Sequence, residues 1–178
     1  NEIKYVTNAV STGWISSSGS YVTAFEEAFA KYCGVKYAVA VCNGTVAIHL
    51  ALSALGIGKG DEVIIPGPYY VNYIQMVRSC GGVPIIVNTT EDSGFTVTSE
   101  QIEKVITPRT TALILNSPCN PSGRVIGCEV LAQIAELANR HDFAVVSDEV
   151  YRTLIFNGRP YKSIASFPGM MERTIVVD

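Results

Sequence analysis

The sequence predicts an α/β fold, a three-layer sandwich in which a mostly parallel sheet is covered by helices on both faces. Two observations lead to this prediction. Segments with apolar residues at helical spacing alternate with short runs of Val, Ile and Leu, which is typical of βαβ units. The runs are almost continuously apolar, as expected for parallel strands that are buried on both faces. With 48% hydrophobic residues, the 178-residue chain has enough apolar side chains for one large core.

The first two segments are predicted helices. Apolar residues at helical spacing indicate a helix over residues 2–12, and Gly13 ends it. A loop rich in Ser and Gly follows at residues 14–20, and a second apolar-periodic helix then continues until Gly34. Residues 37–41 are mainly apolar, so we expect the first strand there.

From residue 43 onward, predicted helices and strands alternate. Helices are placed where apolar residues recur every three or four positions, and strands where short apolar runs stand between turn residues. A capping box, Thr-Ser-Glu-Gln at residues 98–101, marks one further helix start. The predicted helices cover residues 45–55, 70–80, a segment that opens at residue 98, and 129–141, and the predicted strands cover residues 62–65, 83–87, 112–116, 144–147 and 174–178.

The composition argues against several classes of protein. The net charge is −3 and no basic run occurs, so the electrostatic footprint of a nucleic-acid-binding protein is missing. No apolar stretch has the length of a transmembrane helix and the first residues do not resemble a signal peptide, so we expect a cytoplasmic protein without a membrane segment. The five cysteines are odd in number and include no Cys-x-x-Cys pair, which argues against a disulfide framework and against a zinc site.

Asn43, Gly44 and Thr45 stand between a predicted strand and a predicted helix. Backbone N–H groups at a helix N-terminus, together with the Thr45 hydroxyl, suit a phosphate group. An ordinary Asn-Gly turn followed by a Thr45 cap explains the same residues. The sequence leaves both interpretations open.

Asp148 follows the apolar strand at residues 144–147. An unpaired carboxylate at that position would be heavily desolvated unless a cation met it. A bound ligand can supply the cation, but an ion pair with Arg152 or a helix N-cap would also explain Asp148. The sequence alone does not choose between these alternatives.

Two more groups of residues follow predicted strands. Asn120 lies in a turn-rich loop at residues 116–123, where each proline holds the preceding residue extended, and this leaves the Asn120 amide available for hydrogen bonds. Tyr69 and Tyr70 follow Pro-Gly-Pro and offer an aromatic face. Turn formation and core packing are the alternative explanations of these residues.

These groups follow four different strands of one predicted sheet. The carboxyl ends of parallel strands meet at the edge where α/β enzymes bind their ligands. Together the groups offer a phosphate site, an aromatic platform, a hydrogen-bonding amide and an acid. Pyridoxal phosphate requires all four, because its ring accepts electrons only while a carboxylate keeps the ring nitrogen protonated. We therefore expect pyridoxal 5'-phosphate as the cofactor.

Residues 66–178 closely resemble class I aminotransferases of the aspartate aminotransferase group, which are fold-type I pyridoxal-phosphate enzymes. The resemblance rests on Pro-Tyr-Tyr-Val-Asn-Tyr at residues 68–73, on a block at residues 107–123 that ends in Asn-Ser-Pro-Cys-Asn-Pro-Ser-Gly, and on Ser-Asp-Glu-Val-Tyr at residues 147–151. It implies transfer of an amino group between an amino acid and a 2-oxo acid.

The same resemblance implies a set of cofactor-binding residues: Gly44, Thr45, Tyr70, Asn120, Asp148 and Tyr151. Asp148 would pair with the ring nitrogen and Tyr70 would stack on the ring, so these two are the expected catalytic residues. Asn120 and Tyr151 would bond the phenolic oxygen, and the first two residues of the set would hold the phosphate.

Residues 1–65 resemble a different branch of the fold type, the sugar aminotransferases of the DegT/DnrJ/EryC1/StrS type. The similar segments are Gly-Trp-Ile-Ser at residues 13–16, Tyr-Ala-Val-Ala-Val at residues 37–41 and Asn-Gly-Thr at residues 43–45. A junction between the two resemblances falls near residues 65–66, so the chain is either a chimera or a member in which one branch has drifted. This branch implies a nucleotide-linked keto-sugar as an alternative substrate.

In the class I pattern, the Schiff-base lysine follows a few residues after the strand that ends here at Asp178. None of the six lysines present matches that position, and the small C-terminal domain is also missing. We therefore expect residues 1–178 to be a truncated, inactive large domain of an aminotransferase whose complete form is a homodimer. A non-catalytic fragment is the alternative from another functional class.

Overall fold

The computed structural model describes residues 1–16, 18–156, 158 and 160–178. Within these ranges a sheet of five parallel strands is formed by β1 (Glu62–Pro66), β2 (Val83–Val87), β3 (Thr110–Asn116), β4 (Ala144–Asp148) and β5 (Thr174–Val177). Their spatial order is β2-β1-β3-β4-β5. Parallel neighbours need crossover connections, and the intervening helices supply them.

Helices cover both faces of the sheet. The helices in the described part of the chain are α1 (Glu2–Ser11), α2 (Ser20–Cys33), α3 (Gly44–Ala54), α4 (Asn72–Ser79), α5 (Ser99–Glu103) and α6 (Cys128–His141), and a short 3₁₀ helix lies at Ile164–Ser166. Side chains of α3 and α4 form one apolar cluster, and those of α5 and α6 form another. Strand β3 contributes Leu113 to one cluster and Ile114 to the other, as alternation along a strand requires. The predicted three-layer architecture is confirmed.

The chain divides into an N-terminal unit, Asn1–Cys42, and a sheet unit, Asn43–Asp178. The N-terminal unit contains α1 and α2, as predicted, and α2 ends at Gly34 with a φ of +70°, a left-handed conformation that glycine adopts without steric cost. Ser17, in the predicted loop at residues 14–20, lies outside the described residues. In the described ranges, a helix with the length and apolar character needed to cross a bilayer is not found.

One predicted element is wrong. Residues 37–41 form no strand in the structure. Tyr37 is 74% exposed and Val39 is 69% exposed, so this segment lacks the burial that normally accompanies an apolar run. A strand is defined by its ladder of hydrogen bonds to a neighbour, and local composition does not supply one.

Register aligns the ends of the central strands. Asn116 at the end of β3 is the partner of Asp148 at the end of β4, and Val177 of β5 lies on the other side of Asp148. Because all five strands are parallel, their carboxyl ends share one edge of the sheet. The polar residues that follow β3 and β4 are therefore neighbours in space.

A buried carboxylate, Glu62, lies at the opposite end of the strands, where β1 and β3 begin. The Glu62 side chain is 4% exposed and accepts hydrogen bonds from the Thr107 hydroxyl and from the Arg109 guanidinium. These donors hold the pKa of Glu62 below its ordinary value, the Thr107 bond more than the Arg109 bond. The N–H of Glu62 also donates to the Arg109 carbonyl, so side chain and backbone both join the two strands.

Candidate active site

Asp148 is the last residue of β4 and is 7% exposed. Its Oδ2 accepts a 2.5 Å hydrogen bond from the Tyr73 hydroxyl, and its Oδ1 accepts a 3.3 Å bond from the N–H of Val150. Both donors are neutral. The carboxylate therefore sits in a buried position where hydrogen bonds compensate only part of the loss of water.

Burial raises the pKa of Asp148 above its ordinary value. The hydrogen bonds from Tyr73 and Val150 act in the opposite direction, and the negative charges of Asp178 and Glu149 raise the pKa further. A cation placed against Asp148 would reverse this balance, because an opposite charge favours the ionised carboxylate.

Neither of the two structural roles considered for Asp148, an ion pair with Arg152 or a helix N-cap, is found in this structure. Arg152 pairs with Asp178, at 2.7 Å between Nη2 and Oδ2. Residues 150–153 form turns, so Asp148 is not the N-cap of a helix. The two alternatives that the sequence left open, an ion pair with Arg152 and a helix cap, are thus not what this chain adopts.

Asn116 connects the Asn120 loop to Asp148. Its Oδ1 accepts a 2.6 Å bond from the backbone N–H of Asn120, and its Nδ2 donates at 3.1 Å to the carbonyl of Asp148. The N–H of Ser117 donates to the same carbonyl at 3.3 Å. The loop that carries Asn120 is thereby fastened to the end of β4.

Tyr70 lies two residues before the start of α4 and contacts two residues of its first turn. Its ring meets the Tyr73 ring edge to face, with centroids 5.6 Å apart and planes at 79°. Its hydroxyl accepts a 2.9 Å bond from the Asn72 amide. Since Tyr73 also bonds Asp148, the aromatic group and the acid predicted from the sequence belong to one contiguous assembly.

Helix α3 begins at Gly44, one residue before the predicted start, so Gly44 and Thr45 are its first two residues. The helix is capped by Asn43, whose Oδ1 accepts from the N–H of Val46 at 3.0 Å. The alternative interpretation of these residues, an Asn-Gly turn followed by a Thr45 cap, is wrong about the cap, which is Asn43. Apolar residues of α3 share a cluster with Val146 of β4 and with β5.

Tyr151 lies in the turn after Asp148 and is half-buried. Its phenol makes a small contribution to the raised pKa of Tyr73. Glu149, between Asp148 and this turn, is 2% exposed and accepts bonds from the hydroxyls of Ser147 and Ser163. These bonds fix the backbone from which Tyr151 projects.

Sequence reasoning missed the two residues that connect the site. The sequence motifs include Tyr73 only within residues 68–73 and Asn116 only within the loop at residues 116–123, and they assign neither a separate role. A signal for Tyr73 was available, because a residue three positions after Tyr70 lies on the same helical face. For Asn116 the signal was its place at the end of a buried strand.

All six lysines are exposed: Lys4, Lys31, Lys36, Lys59, Lys104 and Lys162. They lie in helices or connections, outside the five strands. None has the buried setting of a nucleophilic lysine. The described contacts link Tyr70, Asp148 and Asn120. These residues supply an aromatic ring, an acid and an amide, and no lysine amine belongs to the group.

Comparisons with known proteins show which family this chain resembles. The model of the DegT/DnrJ/EryC1/StrS aminotransferase family matches residues 1–150. GDP-perosamine synthase of Caulobacter vibrioides is 43% identical over 148 residues, 83% of this chain and 38% of that protein. Aspartate aminotransferase of Geobacillus stearothermophilus is 39% identical over 154 residues, 84% of this chain and 39% of that protein.

The fold is similar to that of a solved aromatic aminotransferase from Pyrococcus horikoshii, with a TM-score of 0.85 and 34% identity over 97% of this chain and 49% of that one. The chain spans about two fifths of the length of the curated relatives named above. The resemblance to fold-type I aminotransferases is confirmed for both the sugar and the aspartate branch. The chain belongs to the DegT/DnrJ/EryC1/StrS aminotransferase family.

Proposed function

We propose that this chain is the cofactor-binding large domain of an aminotransferase that moves an amino group between an amino acid and a 2-oxo acid. Aminotransferases of this family depend on pyridoxal phosphate, which when bound supplies an electron sink for the transfer. The observation that carries the proposal is the buried Asp148 carboxylate, whose described donors are neutral. A cationic heterocycle at that position would satisfy it.

The donor set fits the cofactor, residue by residue. Asp148 would hold a proton on the ring nitrogen, and Tyr70 would cover one face of the ring. Asn120 and Tyr151 would donate to a phenolic oxygen. The phosphate would lie at the N-terminus of α3, where the N–H groups of its first residues, Gly44 and Thr45, and the positive end of the helix dipole favour an anion.

Binding of pyridoxal phosphate to the chain tests the proposal. In amide-resolved NMR with millimolar cofactor, we expect shift changes at Gly44, Asn120 and Tyr151. Asp148→Asn should weaken binding about tenfold or more, because a hydrogen bond between charged groups is lost. Asp142→Asn is the matched control, since that carboxylate is 89% exposed. Shift changes confined to other regions would overturn the assignment.

A second test uses the chemical modification of the exposed lysines. Treatment with pyridoxal phosphate and borohydride should reduce the aldehyde onto several lysines at random, with no preferred site. Peptide mass spectrometry measures the distribution. One lysine modified stoichiometrically at low cofactor concentration would contradict the proposal that this chain lacks the nucleophile.

A second candidate function is amino transfer to a nucleotide-linked keto-sugar. It is favoured by the 43% identity to GDP-perosamine synthase and by the family match over residues 1–150. The junction predicted near residues 65–66 stays part of this proposal. The residues before it resemble the sugar aminotransferases and those after it the aspartate aminotransferase group, so each side suggests a different substrate. Assaying the complete protein with a 2-oxo acid and with a nucleotide-linked 4-keto-sugar separates the candidates.

We also propose that the complete protein is a cytoplasmic homodimer. The support is the family resemblance, together with a chain of net charge −3 whose described helices include none able to span a bilayer. Light scattering of the complete protein measures the assembly state. A monomer at micromolar concentration would contradict this part of the proposal.

A further inference from the structure

We infer that Tyr73 is a positioning residue that fixes the Asp148 carboxylate and keeps it ionised for the cofactor. The inference rests on the proposed function, in which Asp148 pairs with a cationic ring. Nothing in the sequence motifs singled out Tyr73, and its role follows from the place of its hydroxyl in the fold.

The Tyr73 phenol is held rigidly. It is 1% exposed and belongs to the apolar cluster between α3, α4 and the sheet. Its backbone N–H donates to the Tyr70 carbonyl at 3.0 Å, and its ring meets the Tyr70 ring edge to face. The hydroxyl therefore reaches Asp148 from a fixed direction, and the 2.5 Å bond to Oδ2 sets the plane of the carboxylate.

The hydroxyl itself points to a polar role. A phenylalanine would fill the same space, and burying a hydroxyl without a partner costs free energy. Among the described residues, the partner that spares Tyr73 this cost is Asp148, which lies 75 residues further along the chain. The contact is thus a specific polar link between α4 and β4 within an apolar cluster.

The charges around Asp148 explain why the donor matters. Glu149 and Asp178 add negative charge, with Asp178 itself paired to Arg152. Around the phenol, burial raises the pKa of Tyr73 far above its ordinary value, and the charge of Asp148 adds to this, with smaller contributions from Cys119 and Tyr151.

Tyr73 consequently remains a protonated donor at all physiological pH values. It opposes the burial and the acidic neighbours, which raise the pKa of Asp148. A protonated Asp148 could not keep a proton on a cofactor ring nitrogen, because it would carry no charge to stabilise the cation. In this way a neutral phenol preserves the charge on which the proposed cofactor site depends.

Carbon-13 NMR of the chain labelled at aspartate carboxyls tests this inference without cofactor, with the Asp148 signal assigned through Asp148→Asn. Tyr73→Phe should lower the acid dissociation constant of Asp148 about tenfold, since one hydrogen bond to the charged form is lost. Tyr21→Phe is the matched control, because its hydroxyl donates to Asn8 within the N-terminal unit at 2.9 Å. An unchanged Asp148 titration in Tyr73→Phe would overturn the inference.

A second variant keeps the test decisive if Tyr73→Phe does not fold. A fluorinated tyrosine at position 73 retains the shape but is a stronger donor, so the acid dissociation constant of Asp148 should rise. A change in the other direction, or none, contradicts the inference. If Asp148 responds as expected but pyridoxal phosphate causes no shifts in the unmodified chain, the cofactor assignment fails while the positioning role stands.

Discussion

The N-terminal unit and the sheet unit have equally regular apolar patterns but very different burial. Helices α1 and α2, which lie wholly in the described ranges, contain one buried residue between them, Ala30. Helix α6 alone contains five. The apolar face predicted for α1 is open, with Ile3 84% exposed. Periodicity therefore specifies the helix, whereas burial depends on what packs against it.

The largest expected effect separates the two units directly. Ile134→Ala in α6 removes a fully buried side chain and should lower the free energy of unfolding by about 2–5 kcal/mol. Ile3→Ala makes the same change on the open face of α1 and should stay within about 0.5 kcal/mol of the original chain. Urea unfolding followed by circular dichroism measures both. Equal losses would show that the face of α1 is covered in solution.

A smaller effect is expected from the acidic residues. Glu62→Gln should destabilise the sheet unit by about 1–2 kcal/mol, because the hydrogen bonds from Thr107 and Arg109 no longer end on a charged group. The loss stays this small because the Arg109 side chain is mostly exposed and solvent screens its charge. Glu26→Gln is the counterpart in the N-terminal unit, where Glu26 accepts a 2.9 Å bond from the N–H of Ala40. An amide oxygen can still accept that bond, so little change is expected.

The contribution of Glu62 to the stability of the sheet unit should depend on pH. Its folded pKa lies below the ordinary 4.5, so the stabilisation is fully present above pH 4.5 and is lost as the pH falls through the folded pKa. Glu62→Gln should therefore flatten the acid side of the stability profile. Urea midpoints at a series of acidic pH values provide the measurement, and a slope identical to that of the original chain would rule out this role.

The smallest effect concerns the helix N-caps. Asn43 caps α3 through its side chain, whereas the side chain of Asn1, at the start of α1, makes no cap bond in the described structure. Asn43→Ala should cost about 1 kcal/mol, and Asn1→Ala should cost much less. Thermal unfolding detects the difference. Similar losses would mean that the Asn43 bond contributes nothing beyond helix propensity.

Local signals were sufficient for many elements of the sheet unit. Strand β2 has the predicted bounds, Val83–Val87, because Gly81 and Gly82 interrupt the preceding helix and an apolar run follows. The capping box is present with both of its bonds, from the N–H of Gln101 to Thr98 and from the N–H of Thr98 to Gln101. In these cases the decisive interactions join residues a few positions apart.

The candidate site was only partly predictable. Gly44 was expected beside a helix start, Asp148 beside a strand end and Asn120 in the loop after a strand, and the structure places them there. The links between such residues were not expected, since Tyr73 and Asn116 act across distances of 75 and 32 residues along the chain. No local pattern encodes a hydrogen bond of that span.

By itself, the sequence determined the order of helices and strands, the parallel three-layer class and the family, because these depend on periodicity, capping and short motifs. Tertiary structure alone decided that residues 37–41 find no strand partner and that Asp148 meets Tyr73 instead of Arg152. The physical reason is the range of the interactions. Periodicity and caps act within one or two turns of chain, whereas strand pairing and the charge balance of a buried carboxylate depend on whichever distant residues the fold brings together.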